Sequence, residues 1–249
     1  MYKRQGLAAA REGSASGSAR VLVCDAADQQ ALEAIVLRHA RDGARRLWCG
    51  SAGLAHALAR ALPGVGGNTE PLAGAAGASH GPVLVLVGTD HPVAQAQAAA
   101  LARVPGVHEH WIDLDRPDDD PAPSVAAAIE APIVLIRFVV RPGEPRSRVA
   151  EQARCALTHE APRLPRPRLV IATGGETLCA LSDALGASEL TVAGERCTGV
   201  PCGAWVDGRW AGIPLFSKSG GFGAPDLLAS LALNVAPPAA VPHALVRNN

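Results

Sequence analysis

One unit recurs along this chain and limits what it can fold into. An apolar run of strand length leads into a short glycine-bearing turn, and a segment with helical spacing follows. "PVLVLVGTDHPVAQAQAAALAR" (82–103) and "LVIATGGETLCALSDALGA" (169–187) show it most plainly. Their apolar runs lack polar alternation, which is how parallel strands covered on both faces read. In the first unit Pro92 stands in the first helical turn, where its missing N–H removes no bond. In the second, Leu178, Leu181 and Leu185 share one helical face, and Gly186 closes the helix. Strands alternating with helices predict an α/β fold: a mostly parallel sheet with helices on both faces, and ligands bound outside the carboxyl ends of the strands.

The other segments fit this frame. "ARVLVCDA" (19–26) reads as a buried parallel strand, followed by a helix that Asp28 caps and Gly43 ends. "RRLWCGSAGLAHALARAL" reads as strand, turn and helix. "HEHWIDLD" and "APIVLIRFVV" read as strands, "EPRSRVAEQARCALTH" as a helix and "SELTVAGE" as a strand. "CGAWVDGRWAGIPLFSK" predicts a late antiparallel hairpin with Asp207-Gly208 at its tip, and a last helix starts at Pro225. The Gly/Pro/Ser-rich stretch 63–80 reads as a linker between a domain over 19–62 and a second over 81–235. Residues 1–18 read as a disordered or non-native start, because "MYKRQ" looks like translated adaptor at the broken edge of a gene. On that reading the chain is N-terminally truncated. Residues 236–249 read as a disordered tail.

Several function classes are excluded or disfavoured. Lys plus Arg and Asp plus Glu number 23 each, so there is no basic footprint for nucleic acid. No apolar run is long enough to span a bilayer, and no secretory signal is present. The six cysteines form no CxxC; several sit in apolar runs, which predicts reduced, mostly buried thiols and a cytoplasmic setting. There is no GxxxxGK[ST] and no GxGxxG, so neither a P-loop nor a dinucleotide fingerprint is found. "HEH" (108–110) places two histidines on one side of a strand without further ligands signposted, and the metal expectation is none.

Four turns carry the chemistry: "GSAG" (50–53), "GTDH" (88–91), "TGGET" (173–177) and "SKSGGFG" (217–223). Each is expected to follow a strand and open a helix. A helix start offers unpaired N–H groups and partial positive charge, worth about 0.3–1 kcal/mol for an anion. Glycine lets a ligand approach the backbone. Ser51, Thr89, Thr173 and Ser219 add hydroxyls. Lys218, one of two lysines in the chain, adds a compact charge suited to phosphate. Micromolar binding needs about −8 kcal/mol, so the turns must act together and a base must add apolar contact.

At these turns the chain resembles the four-carbon acid sugar kinases. The stretches that carry the resemblance are "VLVCDAADQQALEAI", "WCGSAGLAHALA", "LVGTDHPVAQAQ", "LVIATGGETLCALSDALG", "GERCTGVPCG" and "FSKSGGFGAPDLL", in the family's order over most of residues 20–233. The resemblance implies a sugar-acid-binding domain, of which 19–62 would be the last piece, and a nucleotide-binding domain. It implies ATP and Mg²⁺ as cofactors and an acid of the 3-oxo-tetronate, threonate or erythronate type as substrate. It places nucleotide contacts on Thr89, Gly174, Gly175, Glu176, Thr177, Gly220 and Gly221. Lys218 and Ser219 join them from residue chemistry, with Ser51 and Thr173 as further candidates. The family reads Gly-Ser-x-Ser-Pro where this chain has Gly88-Thr89-Asp90-His91-Pro92, so His91 replaces the second serine. Pairing through either domain stays open. Some relatives carry the label of a secreted effector, and a non-enzymatic nucleotide-binding module is the alternative reading.

Overall fold

The computed structural model describes residues 11–14, 20–40, 45–61, 80–115, 131–141 and 143–234. The expected linker, but for its last residue, and the expected tail fall outside them. The chain divides into two compact units, 1–68 and 69–249.

The first unit holds β1 (Arg11–Ser14), β2 (Arg20–Val23), α1 (Gln29–Ala40) and α2 (Ala52–Ala61). Gln29 Nε2 donates to the Gly53 carbonyl and ties the two helices. Residues 11–14 form a strand. Two expectations fail here. The run at 19–26 is not a buried parallel strand: β2 pairs antiparallel with β1, and Val21, Leu22 and Val23 stay exposed. Residues 45–50 form no strand, and Leu47 is 98% exposed. Apolar sequence gives strand propensity, but a strand is buried only where neighbours pair with its backbone and cover its faces.

The second unit contains β3 (Val83–Val87), α3 (Pro92–Ala102), β4 (Val107–Asp113), β5 (Ile133–Val139) and α4 (Arg146–Glu160). It continues with β6 (Leu169–Thr173), α5 (Gly175–Ala184), β7 (Leu190–Cys197), β8 (Val200–Trp205), β9 (Pro214–Lys218) and α6 (Leu227–Leu233). These strands form one seven-stranded sheet in the order β4-β5-β3-β6-β9-β8-β7. The first five are parallel; β8 runs antiparallel to β9, and β7 antiparallel to β8. The chain leaves β3 towards the β4 edge and later passes back over β3 to β6. Such a reversal opens a crevice at the carboxyl ends of the strands.

Both faces of the sheet are covered, as expected. Alternation along β3 divides the core: Leu84 and Leu86 pack with Leu157, Ala180 and Leu181 of α4 and α5, while Val83, Val85 and Val87 pack with Ala94, Leu101 and Leu228 of α3 and α6. Trp205 and Trp210 meet edge to face in the first of these layers, centroids 6.2 Å apart.

The late hairpin exists as β8 paired antiparallel with β9. A tighter one precedes it: Cys197 of β7 pairs with Val200 of β8, so Thr198-Gly199 is a two-residue turn, with Gly199 at φ 78°. Asp207-Gly208 lies in the longer connection from β8 to β9. There Asp207 accepts from the Ser188 N–H, the Ser188 hydroxyl and the Glu189 N–H. The last helix begins at Leu227 rather than at Pro225. The thiols are also not buried: Cys49, Cys155, Cys179 and Cys197 are exposed and Cys24 and Cys202 half-buried, all of them free. Cys155 and Cys179 sit on the outer faces of α4 and α5, where an apolar neighbourhood in sequence does not mean burial in space.

Candidate functional site

Three of the four turns converge. "GTDH" after β3, "TGGET" after β6 and Gly220-Gly221 after β9 line one end of a cavity of about 700 Å³ in the second unit. Parallel neighbours put them side by side, since β6 pairs with both β3 and β9. Glycine then lets them touch. A β-carbon on Gly88 would lie 2.0 Å from Thr177 Oγ1, and one on Gly220 would lie 2.8 Å from Thr89 Oγ1. Gly174, at φ 99°, is the position whose backbone itself demands glycine.

The two helix starts at this end differ. At α3, His91 is the cap: its N–H donates to Thr89 Oγ1 and its Nδ1 accepts from the Val93 N–H. Pro92 has no N–H to offer. At α5 no side chain caps the helix, and the first intrahelical bond runs from the Leu178 N–H to the Gly174 carbonyl. The N–H groups of Gly175, Glu176 and Thr177 are thus the unspent donors of that helix. A β-carbon on Gly175 would meet nothing within 4 Å, so a ligand can come right up to the backbone.

The rest of the lining comes from the ends of β4 and β5, the turn after β5 and the first turns of α4: apolar Leu114, Phe138, Val140, Val149, Ala150 and Ala153, with Gly143 and the charged Arg141, Glu144 and Arg146 among them. Sequence reasoning required such a surface but did not find it, because these residues read as ordinary strand ends and an inner helix face.

A half-buried network sets the "GTDH" turn. Gln95 Nε2 donates to the Thr89 carbonyl at 2.6 Å, and Gln95 Oε1 accepts from Arg137. Arg137 also donates to Glu109 at 2.8 Å and lies over the Trp111 ring at 4.1 Å. Gln97, fully buried in α3, donates through Nε2 to the carbonyls of Phe222 and Ala224 and so anchors the "SKSGGFG" segment.

Lys218 is not among the cavity-lining residues. It is 3% exposed, its Nζ donates to the Ser219 carbonyl at 2.8 Å, and burial pushes its ammonium below the ordinary range. Its own carbonyl accepts from the Gly174 N–H, so it shapes the neighbouring turn from behind. Thr173 is fully buried and its Oγ1 has no partner. Ser219 is exposed and Ser51 heads α2 of the first unit; neither lines the cavity. "SKSGGFG" does not open a helix directly, since α6 starts only at Leu227. His110 of "HEH" is buried against Glu160, Nε2 to Oε2 4.0 Å. Among the described residues no group of three or more His, Cys, Asp or Glu could hold a metal.

Residues 84–228 match the family of the nucleotide-binding C-terminal domain. The chain belongs to the four-carbon acid sugar kinase family. It is 33% identical over 233 residues to a D-threonate kinase of Bordetella bronchiseptica, covering 87% of this chain and 53% of that protein. It is 31% identical over 239 residues to a D-threonate kinase of Cupriavidus necator, covering 87% and 54%. The chain therefore spans about half the length of the curated relatives it matches. Among solved structures it resembles a domain of unknown function (DUF1537) from Bordetella bronchiseptica, crystallised with bound citrate as a domain-swapped dimer. There the TM-score is 0.51 and the identity 32%, covering 85% of this chain and 50% of that one. The matched family region contains all three converging turns of this four-carbon acid sugar kinase family member. No helix among the described residues is long and apolar enough to cross a membrane.

Proposed function

We propose that this chain is the ATP-binding part of a cytoplasmic kinase that phosphorylates a four-carbon sugar acid, of the threonate type by its named relatives. One observation carries the reading: a single cavity is lined both by the donor-rich glycine turns and by apolar side chains of β5 and α4, the two kinds of surface a nucleotide needs. The adenine ring takes the surface formed by Phe138, Val140, Val149 and Ala153. The phosphates take the N–H groups of Gly175, Glu176 and Thr177, with Thr89, Gly174, Gly220 and Gly221 closing the cradle and Ser219 at its edge. Lys218 contributes positive charge from behind the turns rather than by contact.

Asp90 and Glu176 both line the phosphate end. Two carboxylates beside phosphates suit Mg²⁺, which binds through one or two carboxylates plus substrate oxygens. These two residues would hold it, and it would neutralise charge developing on the transferred group. Phosphoryl transfer needs placement and charge neutralisation more than covalent help from the protein. We assign the acceptor and its general base to the part of the relatives that this chain does not span.

The test is calorimetric titration of Mg·ATP and Mg·ADP into the chain, Gly175→Glu and Ala153→Trp. Micromolar binding is expected, weakened at least tenfold by either change. Absence of binding, or binding that neither change touches, overturns the reading. Turnover of ATP with D-threonate by the chain alone would overturn the division of labour.

A further inference from the structure

His91 holds an imidazole at the phosphate end of the cavity in one defined orientation. Its Nδ1 accepts the Val93 N–H at 3.2 Å, so the neutral ring carries its proton on Nε2. That Nε2–H makes no hydrogen bond to a described residue. The ring is also fixed from the far side. A β-carbon on Gly221 would come 2.9 Å from Nε2, and one on Gly220 would come 3.3 Å from His91 Cβ. Capping explains Nδ1, and a shorter side chain would serve it equally. It does not explain a ring laid across the glycine pair, with Nε2 against Gly221, in a residue that lines the cavity together with Gly220 and Gly221. The neighbouring α5 start presents its unspent N–H groups to the same cavity end, so an oxygen anion seated there meets donors from two elements.

We propose that His91 is a phosphate ligand, donating from Nε2–H to a phosphate oxygen of the bound nucleotide while Nδ1 keeps α3 capped. This rests on the nucleotide reading above. The two nitrogens have separate jobs, so amide substitutions can separate them. Asn reproduces the acceptor near Nδ1 and has nothing at Nε2. Gln reaches the Nε2 position with an amide N–H and gives up the cap.

The experiment is calorimetric titration of the full chain with Mg·ATP and, separately, adenosine, using wild type, His91→Asn and His91→Gln, with thermal melts of each. His91→Asn is expected to melt like wild type, bind adenosine like wild type and lose about tenfold in ATP affinity, which is about 1.4 kcal/mol. His91→Gln is expected to melt lower yet keep ATP affinity within about threefold. If His91→Asn binds ATP as wild type does, or loses adenosine and ATP affinity equally, His91 is not a phosphate ligand and the nucleotide reading stands. If wild type binds adenosine and ATP equally well, no phosphate contact exists and the proposal fails. If wild type binds neither, the nucleotide reading and this proposal fall together.

Discussion

Gly88 and Thr177 lie so close that a β-carbon on the first would sit 2.0 Å from the hydroxyl oxygen of the second and 3.0 Å from its Cβ. The contact joins the turn after β3 to the first turn of α5, so two walls of the cavity are one packed unit. Gly88→Ala is expected to destabilise the fold by about 1–3 kcal/mol, the range for overpacking, and to abolish ATP binding. Thr177→Ala removes the hydroxyl that is struck, so the double variant is expected to recover part of the stability. A chemical-denaturation double-mutant cycle reads the coupling; additive effects would show that the turns are not in contact.

Lys218 is a buried cation whose folded pKa is lowered by burial. The unfolded chain binds this proton more tightly, so the charge opposes folding until the pH rises towards the ordinary lysine range. Lys218→Met is therefore expected to leave the free protein as stable or more so by thermal melt. It is expected to weaken Mg·ATP at least tenfold by calorimetry, because the charge behind the phosphates is gone. A variant that melts much lower and binds ATP normally would show that the ammonium is a structural strut.

Gln97 joins α3 to the carbonyls of Phe222 and Ala224. Gln97→Leu is close in volume but removes the donor to both carbonyls, at about 0.5–1.5 kcal/mol for each hydrogen bond lost. The expected result is faster amide hydrogen exchange over 219–224, with exchange in β3 and β6 unchanged. Uniformly faster exchange throughout the second unit would contradict a local tether.

The His110–Glu160 pair sets an acid limit. Burial pushes the His110 imidazole below 6.5, outweighing the upward pull of the Glu160 carboxylate, and His108 adds to the lowering. The unfolded chain takes the proton more readily, so this contribution is complete above about pH 6.5 and is lost as pH falls through the lower folded value. The urea midpoint is expected to drop between pH 7.5 and 5.5, and less steeply in His110→Gln. Equal slopes in the two proteins would remove His110 as the cause.

The chain announced its turns but not the whole site they build. "GTDH" and "TGGET" were legible because strand, glycine and helix signals stand next to one another in sequence. The apolar half was not, because Phe138 and Val149 become a shared surface only when β5 ends beside the start of α4. The burial of Lys218 was not legible either: it continues the buried side of β9, where Phe216 is also buried. Asp207-Gly208 correctly marked the loop between β8 and β9, but not that its aspartate is held by the Ser188 and Glu189 backbone.

The placement of the tryptophans gives the second unit two optical channels. Trp205 and Trp210 are each 1% exposed, so their emission should be blue-shifted and change only when the core opens. Trp111 is 45% exposed and carries Arg137 across its face. Its emission is thereby wired, through Arg137 and Gln95, to the backbone of Thr89. In a Trp48→Phe background, which removes the tryptophan of the first unit, occupancy of the cavity and loss of the fold can then be read in one cuvette at two wavelengths, with Trp111→Phe as the blank for the first.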